Sequence, residues 1–128
     1  PSTATLWANA SGNQGRASLH AFEGDRSLGY DVEIVRLADR LAAYDAPVGV
    51  LKIDIEGYED RALLPYFASA PASRWPRAIV VETTHASLWQ EDLLKALKAY
   101  GYAVADENAE NAMLILSGAA AAPSFEPR

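Results

Sequence analysis

The sequence has no cysteine, fewer basic than acidic residues, and no long apolar run. The absence of cysteine excludes disulfides and thiolate sites. Its 17 acidic and 11 basic residues give a net charge of −6, which argues against nucleic acid or an anionic membrane as a partner, because both bind basic surfaces. No apolar stretch reaches the roughly 18–20 residues that a membrane span requires. We therefore expect a cytoplasmic protein without nucleic-acid or membrane partners.

What the chain does contain is typical of a globular segment. Half of its 128 residues are hydrophobic, which is enough for one domain with a single core. The last residues, 118–128, are rich in alanine and proline and resemble a linker. The sequence therefore predicts one α/β domain over residues 1–117 and an Ala/Pro-rich tail over 118–128.

Hydrophobic periodicity predicts strands that alternate with helices. Extended segments are expected at 3–10, 16–22, 31–37, 48–55, 78–82, 102–105 and 113–116, with turns at 11–15 and 25–29 and helices at 37–44, 57–70 and 87–100. Pro65 is expected to shorten or kink the second helix. The last two strands flank the polar loop 106–111, which indicates an antiparallel hairpin. The pattern favours a mostly parallel sheet with one antiparallel terminal strand.

Charged residues cluster at the end of one predicted buried strand. Lys52, Asp54 and Glu56 interrupt the apolar run 48–55, and Gly57 follows where a helix can begin. Charges are costly inside a buried strand, and ligands of open α/β sheets bind beyond the carboxyl ends of the strands. The stretch therefore indicates a ligand site, with a merely solvated strand end as the alternative.

The segment Leu51 to Glu59, LKIDIEGYE, resembles the signature of FkbM-type S-adenosylmethionine-dependent methyltransferases. Further similarity lies in Trp7 to Ser11 with Gly15, in Ala78 to Glu82, in Gly101-Tyr102 and in Asn111 to Ile115, while Val35 to Leu41 fits more loosely because Ala38 interrupts its pattern. The resemblance implies a Rossmann-like sheet. It also implies transfer of a methyl group from S-adenosylmethionine to a hydroxyl of a small molecule or sugar.

Two parts of the family pattern have no counterpart in the chain. One is the first strand with its Gly-rich turn, which holds the methionine part of the cofactor, and the other is the acidic residue that holds the ribose. We therefore expect the chain to correspond to the C-terminal half of such an enzyme. Strand 48–55 would then present an unpaired edge, which we expect to be covered by residues 3–22, by a second copy in a homodimer, or by the missing N-terminal half.

Three residues are candidates for catalysis: Asp54, Glu56 and His85. The carboxylate of Asp54 could orient the donor or accept a proton, and that of Glu56 could make a polar contact with the acceptor. A neutral imidazole is a natural proton acceptor. Glu82 ends the next strand, so Glu82 and His85 are expected to contact the acceptor substrate. The competing interpretations are a helix cap for Asp54 and an ordinary surface position for His85, as for His20.

The resemblance also assigns cofactor contacts. Asn9 and Ala10 stand where the family approaches the adenine ring, and Lys52 and Asp54 lie at the strand end near the methyl donor. Lys52 and Asp54 share a face of the strand by its period of two, so they could instead form a structural ion pair. No paired histidines accompany the acidic residues, so no metal site is expected.

A second function is compatible with the same pattern. A half of an α/β sheet could serve as a non-catalytic module that associates with a missing half or with a second copy of itself. The sequence leaves both interpretations open.

Overall fold

A computed structural model describes residues 2–9, 17–20 and 27–118. The strands are β1 Ser2–Asn9, β2 Ala17–Ser18, β3 Ser27–Ile34, β4 Val50–Ile53, β5 Ala78–Glu82, β6 Tyr102–Glu107 and β7 Asn111–Leu116. The helices are α1 Leu37–Ala42, α2 Glu59–Ser69 and α3 Leu93–Ala99, and short 3-10 turns span Ala72–Arg74 and Ala86–Leu88. Within these ranges no helix is long and apolar enough to cross a membrane. The predicted tail from residue 119 onward lies outside the described residues.

The main sheet has four strands in the order β4-β5-β7-β6. Strands β4 and β5 are parallel, with Val50 opposite Ala78, whereas β7 pairs antiparallel with both β5 and β6. Three strands thus run in one direction and the last strand of the chain runs in the other. This confirms the mixed α/β sheet and the terminal hairpin that the sequence predicted.

The hydrophobic core lies between one face of this sheet and the helices. Leu63, Ile79, Leu93, Leu97 and Leu114 are fully buried there. Each such side chain contributes about 1.5–3 kcal/mol relative to an exposed position. The turn 72–74 and the end of α3 add an aromatic cluster in which the rings of Phe67, Trp75, Tyr100 and Tyr102 contact one another. The core fixes α2 and α3 on the sheet and with them the loops that begin or end there.

Two buried phenols tie the core to the segment before β5. The hydroxyl of Tyr66 donates to the carbonyl of Arg74, and that of Tyr102 donates to the carbonyl of Pro76, each at 2.6 Å. Burial raises the pKa of both phenols, and in Tyr66 the nearby Arg74 partly opposes the rise in pKa. The neutral phenol is therefore the form that the folded protein stabilises.

The N-terminal strands form a separate antiparallel sheet in the order β2-β1-β3. Strand β3 begins at Ser27 and passes through Gly29, so the expected turn at 25–29 is wrong for residues 27–29. Gly29 lies opposite Trp7, and a Cβ at Gly29 would come within 2.9 Å of Thr5 and 3.0 Å of the Trp7 ring. The glycine permits this close approach across the strands rather than a turn.

Two predicted helices differ from the observed ones. The helix expected at 87–100 is reduced to α3, because the buried carboxylate of Asp60 accepts hydrogen bonds from the backbone amides of Gln90 and Glu91 and holds them outside the helix. Asp92 then caps α3 by accepting from the amide of Lys95. Helix α2, by contrast, runs through Pro65 without being shortened.

Strand β4 lies at the edge of the main sheet. Of the segment 3–22, the described strands pair elsewhere, since β1 pairs with β2 and β3 and neither β1 nor β2 pairs with β4. The sheet face opposite the helices carries exposed apolar side chains: Val50, which is 66% exposed, Met113 and Ile115. Among the described residues, the main sheet therefore has an open edge at β4 and an open apolar face.

Candidate functional site

The loop after β4 has an unusual backbone. Glu56 has φ +56° and Gly57 has φ +96°, so two consecutive residues adopt left-handed conformations. Such a conformation is unfavourable for a residue with a side chain and persists only where its surroundings enforce it. Here the Oε1 atom of Glu59, the first residue of α2, accepts hydrogen bonds from the amides of Ile55 at 2.9 Å and Gly57 at 3.3 Å.

This loop brings Glu56 to the end of the neighbouring strand. The Oε2 atom of Glu56 lies 3.2 Å from Nδ1 of His85, and the Oε2 atom of Glu82 lies 3.5 Å from the same nitrogen. The three side chains are largely buried, with 23% of the Glu56 and His85 side chains and 10% of the Glu82 side chain exposed. Three residues that the sequence singled out therefore form one carboxylate–imidazole–carboxylate cluster.

The position of His85 follows from the end of β5. Glu82 is the last residue of that strand, and its Oε1 atom accepts a hydrogen bond from the amide of Thr84 at 2.9 Å. A 3-10 turn over Ala86–Leu88 follows His85 immediately. Because β4 and β5 are parallel, their carboxyl termini lie side by side at the same end of the sheet. This places Glu56 beside His85.

The arrangement suits proton transfer. Two carboxylate oxygens lie beside Nδ1, so a proton on that nitrogen would be close to two acceptors. The carboxylates would stabilise the positive charge that forms when Nε2 accepts a proton. An imidazole beside a carboxylate can act as a general base.

Asp54 and Lys52 lie outside this cluster. They form an ion pair at 3.3 Å, and their side chains are 45% and 60% exposed. The sequence-based prediction of a Lys52–Asp54 pair is confirmed. Asp54 makes no cap for α2, because the N-cap residue is Tyr58 and no side chain caps it.

The cofactor contacts predicted in the N-terminal segment do not belong to the sheet that contains β4. Asn9 is the last residue of β1, which belongs to the other sheet, and Ala10 lies outside the described residues.

The two sheets meet at the loop after β4. The hydroxyl of Ser18 donates to the carbonyl of Glu56 at 3.2 Å, and the ring of His20 lies 4.3 Å from that of Tyr58. The guanidinium group of Arg61 lies 4.4 Å from the same tyrosine ring. His20, expected at the surface, is therefore half-buried.

The sequence did not identify Glu59 and Asp60 as site residues. Both are buried in the first turn of α2, where they accept hydrogen bonds from backbone amides of the loops after β4 and β5. One feature of the sequence could have identified them: two successive acidic residues begin an apolar helix. Trp89, far along the chain, was available as a hydrogen-bond donor. The indole Nε1 of Trp89 donates to Glu59 at 2.8 Å.

A cavity of about 350 Å³ lies elsewhere, between α1, the loop before β4 and the end of α2. None of the predicted site residues lines it. We therefore place the candidate site by its chemistry at the carboxyl ends of β4 and β5. Among the described residues no group of three or more histidine, cysteine or acidic side chains is arranged to hold a metal ion.

Comparison with protein families identifies a match over most of the chain. The model of the Methyltransferase FkbM domain matches residues 2–104, a range that includes β1 to β5 and the Glu56–Glu82–His85 cluster and ends within β6. No curated protein and no solved structure matches the chain.

Proposed function

Since the chain belongs to the FkbM methyltransferase domain family, as its signature predicted, we propose that it serves an S-adenosylmethionine-dependent transfer of a methyl group to a hydroxyl oxygen. Membership of the family makes the protein a methyltransferase. The donor, the oxygen acceptor and the roles of individual residues are the proposal. The acceptor is a small molecule or a sugar.

One observation carries the choice of a hydroxyl acceptor. His85 lies between two carboxylates at the carboxyl ends of parallel strands, with Nδ1 within 3.2 Å of Glu56 and 3.5 Å of Glu82. A hydroxyl is a weak nucleophile and must lose its proton as it attacks, whereas the methyl group needs only in-line positioning. An oriented imidazole supplies the proton acceptor.

In this proposal each residue of the cluster has a distinct role. Nε2 of His85 takes the proton from the acceptor hydroxyl as the new oxygen–carbon bond forms. The carboxylates of Glu56 and Glu82, which lie beside Nδ1, stabilise the imidazolium ion. Because the cluster is mostly shielded from water, these charges interact more strongly than they would at the surface.

The described residues do not by themselves fit the cofactor. Gly57 is the one described glycine in a strand-to-helix loop, and it serves packing rather than ligand approach, because a Cβ there would lie 2.8 Å from Leu88 and 3.4 Å from His85. Lys52 and Asp54 are paired with each other. S-adenosylmethionine would supply the electrophilic methyl group, and we assign the steps of its binding to none of these residues.

The proposal is tested by incubating the full-length protein with S-adenosylmethionine and a panel of alcohols, sugars and phenols. We expect S-adenosylhomocysteine to form only when a hydroxyl acceptor is present, with the methyl group on oxygen in the product. Methylation of nitrogen or carbon acceptors alone would contradict it.

A second function is favoured by the open edge and face of the main sheet. An edge strand such as β4, whose outer side pairs with no other described strand, is a template for association when it lies beside an exposed apolar face. The chain would then act as an association module that pairs with a second copy or with a further part of the same fold. Size measurement by light scattering tests this function, and a stable monomer with no partner would contradict it.

A further inference from the structure

We infer that Glu59 is a positioning residue that fixes the geometry of the Glu56–His85 pair. This inference rests on the proposed function, which gives that pair its role. Glu59 itself is sealed from solvent, with 0% of its surface exposed. It therefore acts through its neighbours rather than through contact with a substrate.

The carboxylate of Glu59 receives donors from two separate segments. Its Oε1 atom accepts from the amides of Ile55 and Gly57, and its Oε2 atom accepts from the indole of Trp89 at 2.8 Å. The first two amides flank Glu56 on either side. The indole belongs to the residue that follows the 3-10 turn after His85. One carboxylate thus joins the segment that carries Glu56 to the segment that carries His85.

The chemistry of the site requires an ionised carboxylate. All three groups around it are donors, and a carboxylate is an acceptor at both oxygens. A glutamine of the same shape would direct an amide N–H at one set of these donors and lose its hydrogen bonds. The hydrogen bonds to the other oxygen would remain and keep the helix in place. The segment that had bonded to the amide nitrogen would be released.

Close packing transmits the constraint to His85. Gly57 lies so close to the side chains of Leu88 and His85 that a Cβ would be 2.8 Å from the first and 3.4 Å from the second. A shift of the 55–57 loop therefore displaces both partners of the Glu56–His85 pair. The left-handed conformation of Glu56, at φ +56°, also depends on the two amides that Glu59 holds.

Asp60 provides a matched control. It is the next residue of α2, it is also buried, and its Oδ2 atom accepts from the amides of Gln90 and Glu91. Replacing it removes a buried charge and loop contacts from the same helix turn. It leaves the amides on either side of Glu56 untouched.

The experiment is a double-mutant cycle between Glu56→Gln and His85→Gln, measured by denaturant unfolding of the full chain without substrate. In the parent protein we expect the two substitutions to be coupled, by an amount that corresponds to about a fivefold change in the equilibrium constant of unfolding. The coupling should be lost in the Glu59→Gln background and kept in the Asp60→Asn background. Retention of the coupling in Glu59→Gln, or its equal loss in both backgrounds, would overturn the inference.

A milder variant covers the case in which Glu59→Gln does not fold. Trp89→Phe keeps the ring and removes only the donor to Oε2, so it should weaken the coupling and change the 15N shifts of the His85 imidazole, which report its tautomer. Unchanged coupling and shifts in Trp89→Phe would also overturn the inference. Because no substrate is used, these outcomes are independent of whether hydroxyl methylation itself is found.

Discussion

The carboxylate of Glu56 lies 3.2 Å from Nδ1 of His85, although the two residues belong to loops after different strands. The contact exists because β4 and β5 are parallel and end at the same edge of the sheet. It also requires the loop after β4 to turn through two left-handed residues. Neither condition alone would bring the carboxylate to the imidazole.

Replacement of His85 tests this contact in catalysis. We expect His85→Gln to lower kcat for methyl transfer by roughly 10²- to 10⁴-fold, the usual contribution of a general base. Glu56→Gln should cause a smaller loss, because the imidazole remains but its charge is less stabilised. Initial rates of S-adenosylhomocysteine formation measure both effects. His20→Gln removes the other histidine and should keep the parent rate.

Asp54 offers a second and independent test of the site. Its side chain is 45% exposed and pairs with Lys52, so Asp54→Asn should change the free energy of unfolding by less than about 1 kcal/mol. A loss of turnover in this stable variant would assign Asp54 to the reaction. Unchanged turnover would show that Asp54 serves only as one partner of a surface ion pair. Thermal melts and initial rates of the same preparation distinguish the two.

The strained backbone at Glu56 predicts a difference between two substitutions. Glu56→Gly and Glu56→Ala both remove the carboxylate, but only glycine accepts φ +56° without a steric cost. The glycine variant should therefore be more stable than the alanine variant by about 1 kcal/mol. Urea denaturation measures the difference. Equal stabilities would show that the loop relaxes to an ordinary conformation.

Much of this arrangement could be predicted from the sequence. The spacing of Glu56, Glu82 and His85 around two predicted parallel strands was sufficient to place all three at one edge. The orientation of Asp54 could not be predicted in the same way. Alternation along the strand places Asp54 on the same face as Lys52, but it does not show which face of the sheet the helices cover. The organising role of Glu59 depends on a hydrogen bond to the distant Trp89, which no local pattern encodes.

The same limit applies to the N-terminal sheet. Gly29 was interpreted as part of a turn because glycine, aspartate and serine cluster nearby. The structure uses its missing side chain for the approach to Trp7 across the strand pair. Local composition cannot distinguish a glycine in a turn from a glycine that makes room for a side chain on the neighbouring strand. Packing across the strands determines which role Gly29 has.

Gly57 should tolerate no side chain. Gly57→Ala combines a left-handed φ of +96° with a Cβ only 2.8 Å from Leu88, and we expect a loss of about 2–4 kcal/mol in the free energy of unfolding. In a Leu88→Ala background the clash with Leu88 Cδ1 should disappear, while the 3.0 Å contact with the Cβ of residue 88 and the backbone cost remain. Denaturation of the four variants of this cycle measures the two parts. A full loss that persists in the Leu88→Ala background would exclude a contribution from the clash with Leu88 Cδ1.

The buried phenols predict a loss of stability at alkaline pH. The folded-state pKa values of Tyr66 and Tyr102 are raised above the unfolded value near 10, so their contribution is complete below pH 10 and is lost as the pH rises through the folded pKa. The free energy of unfolding should fall above pH 10 by up to about 1.4 kcal/mol per pH unit for each phenol. Tyr102→Phe should flatten this slope. Tyr44→Phe, at a side chain that is 60% exposed, should not, and denaturation between pH 8 and 11 compares them.

The open face of the main sheet predicts how the chain associates. Met113 and Ile115 alternate along β7 with the buried Ala112 and Leu114, so a charge at Ile115 would lie on the open face and leave the core intact. Ile115→Lys should therefore reduce association, seen as a lower mass by light scattering at high protein concentration, with little change in the melting temperature. Leu28→Lys places the same charge at an exposed position on β3 and serves as the control. If Ile115→Lys leaves the mass unchanged while Leu28→Lys lowers it, association occurs through the N-terminal sheet instead.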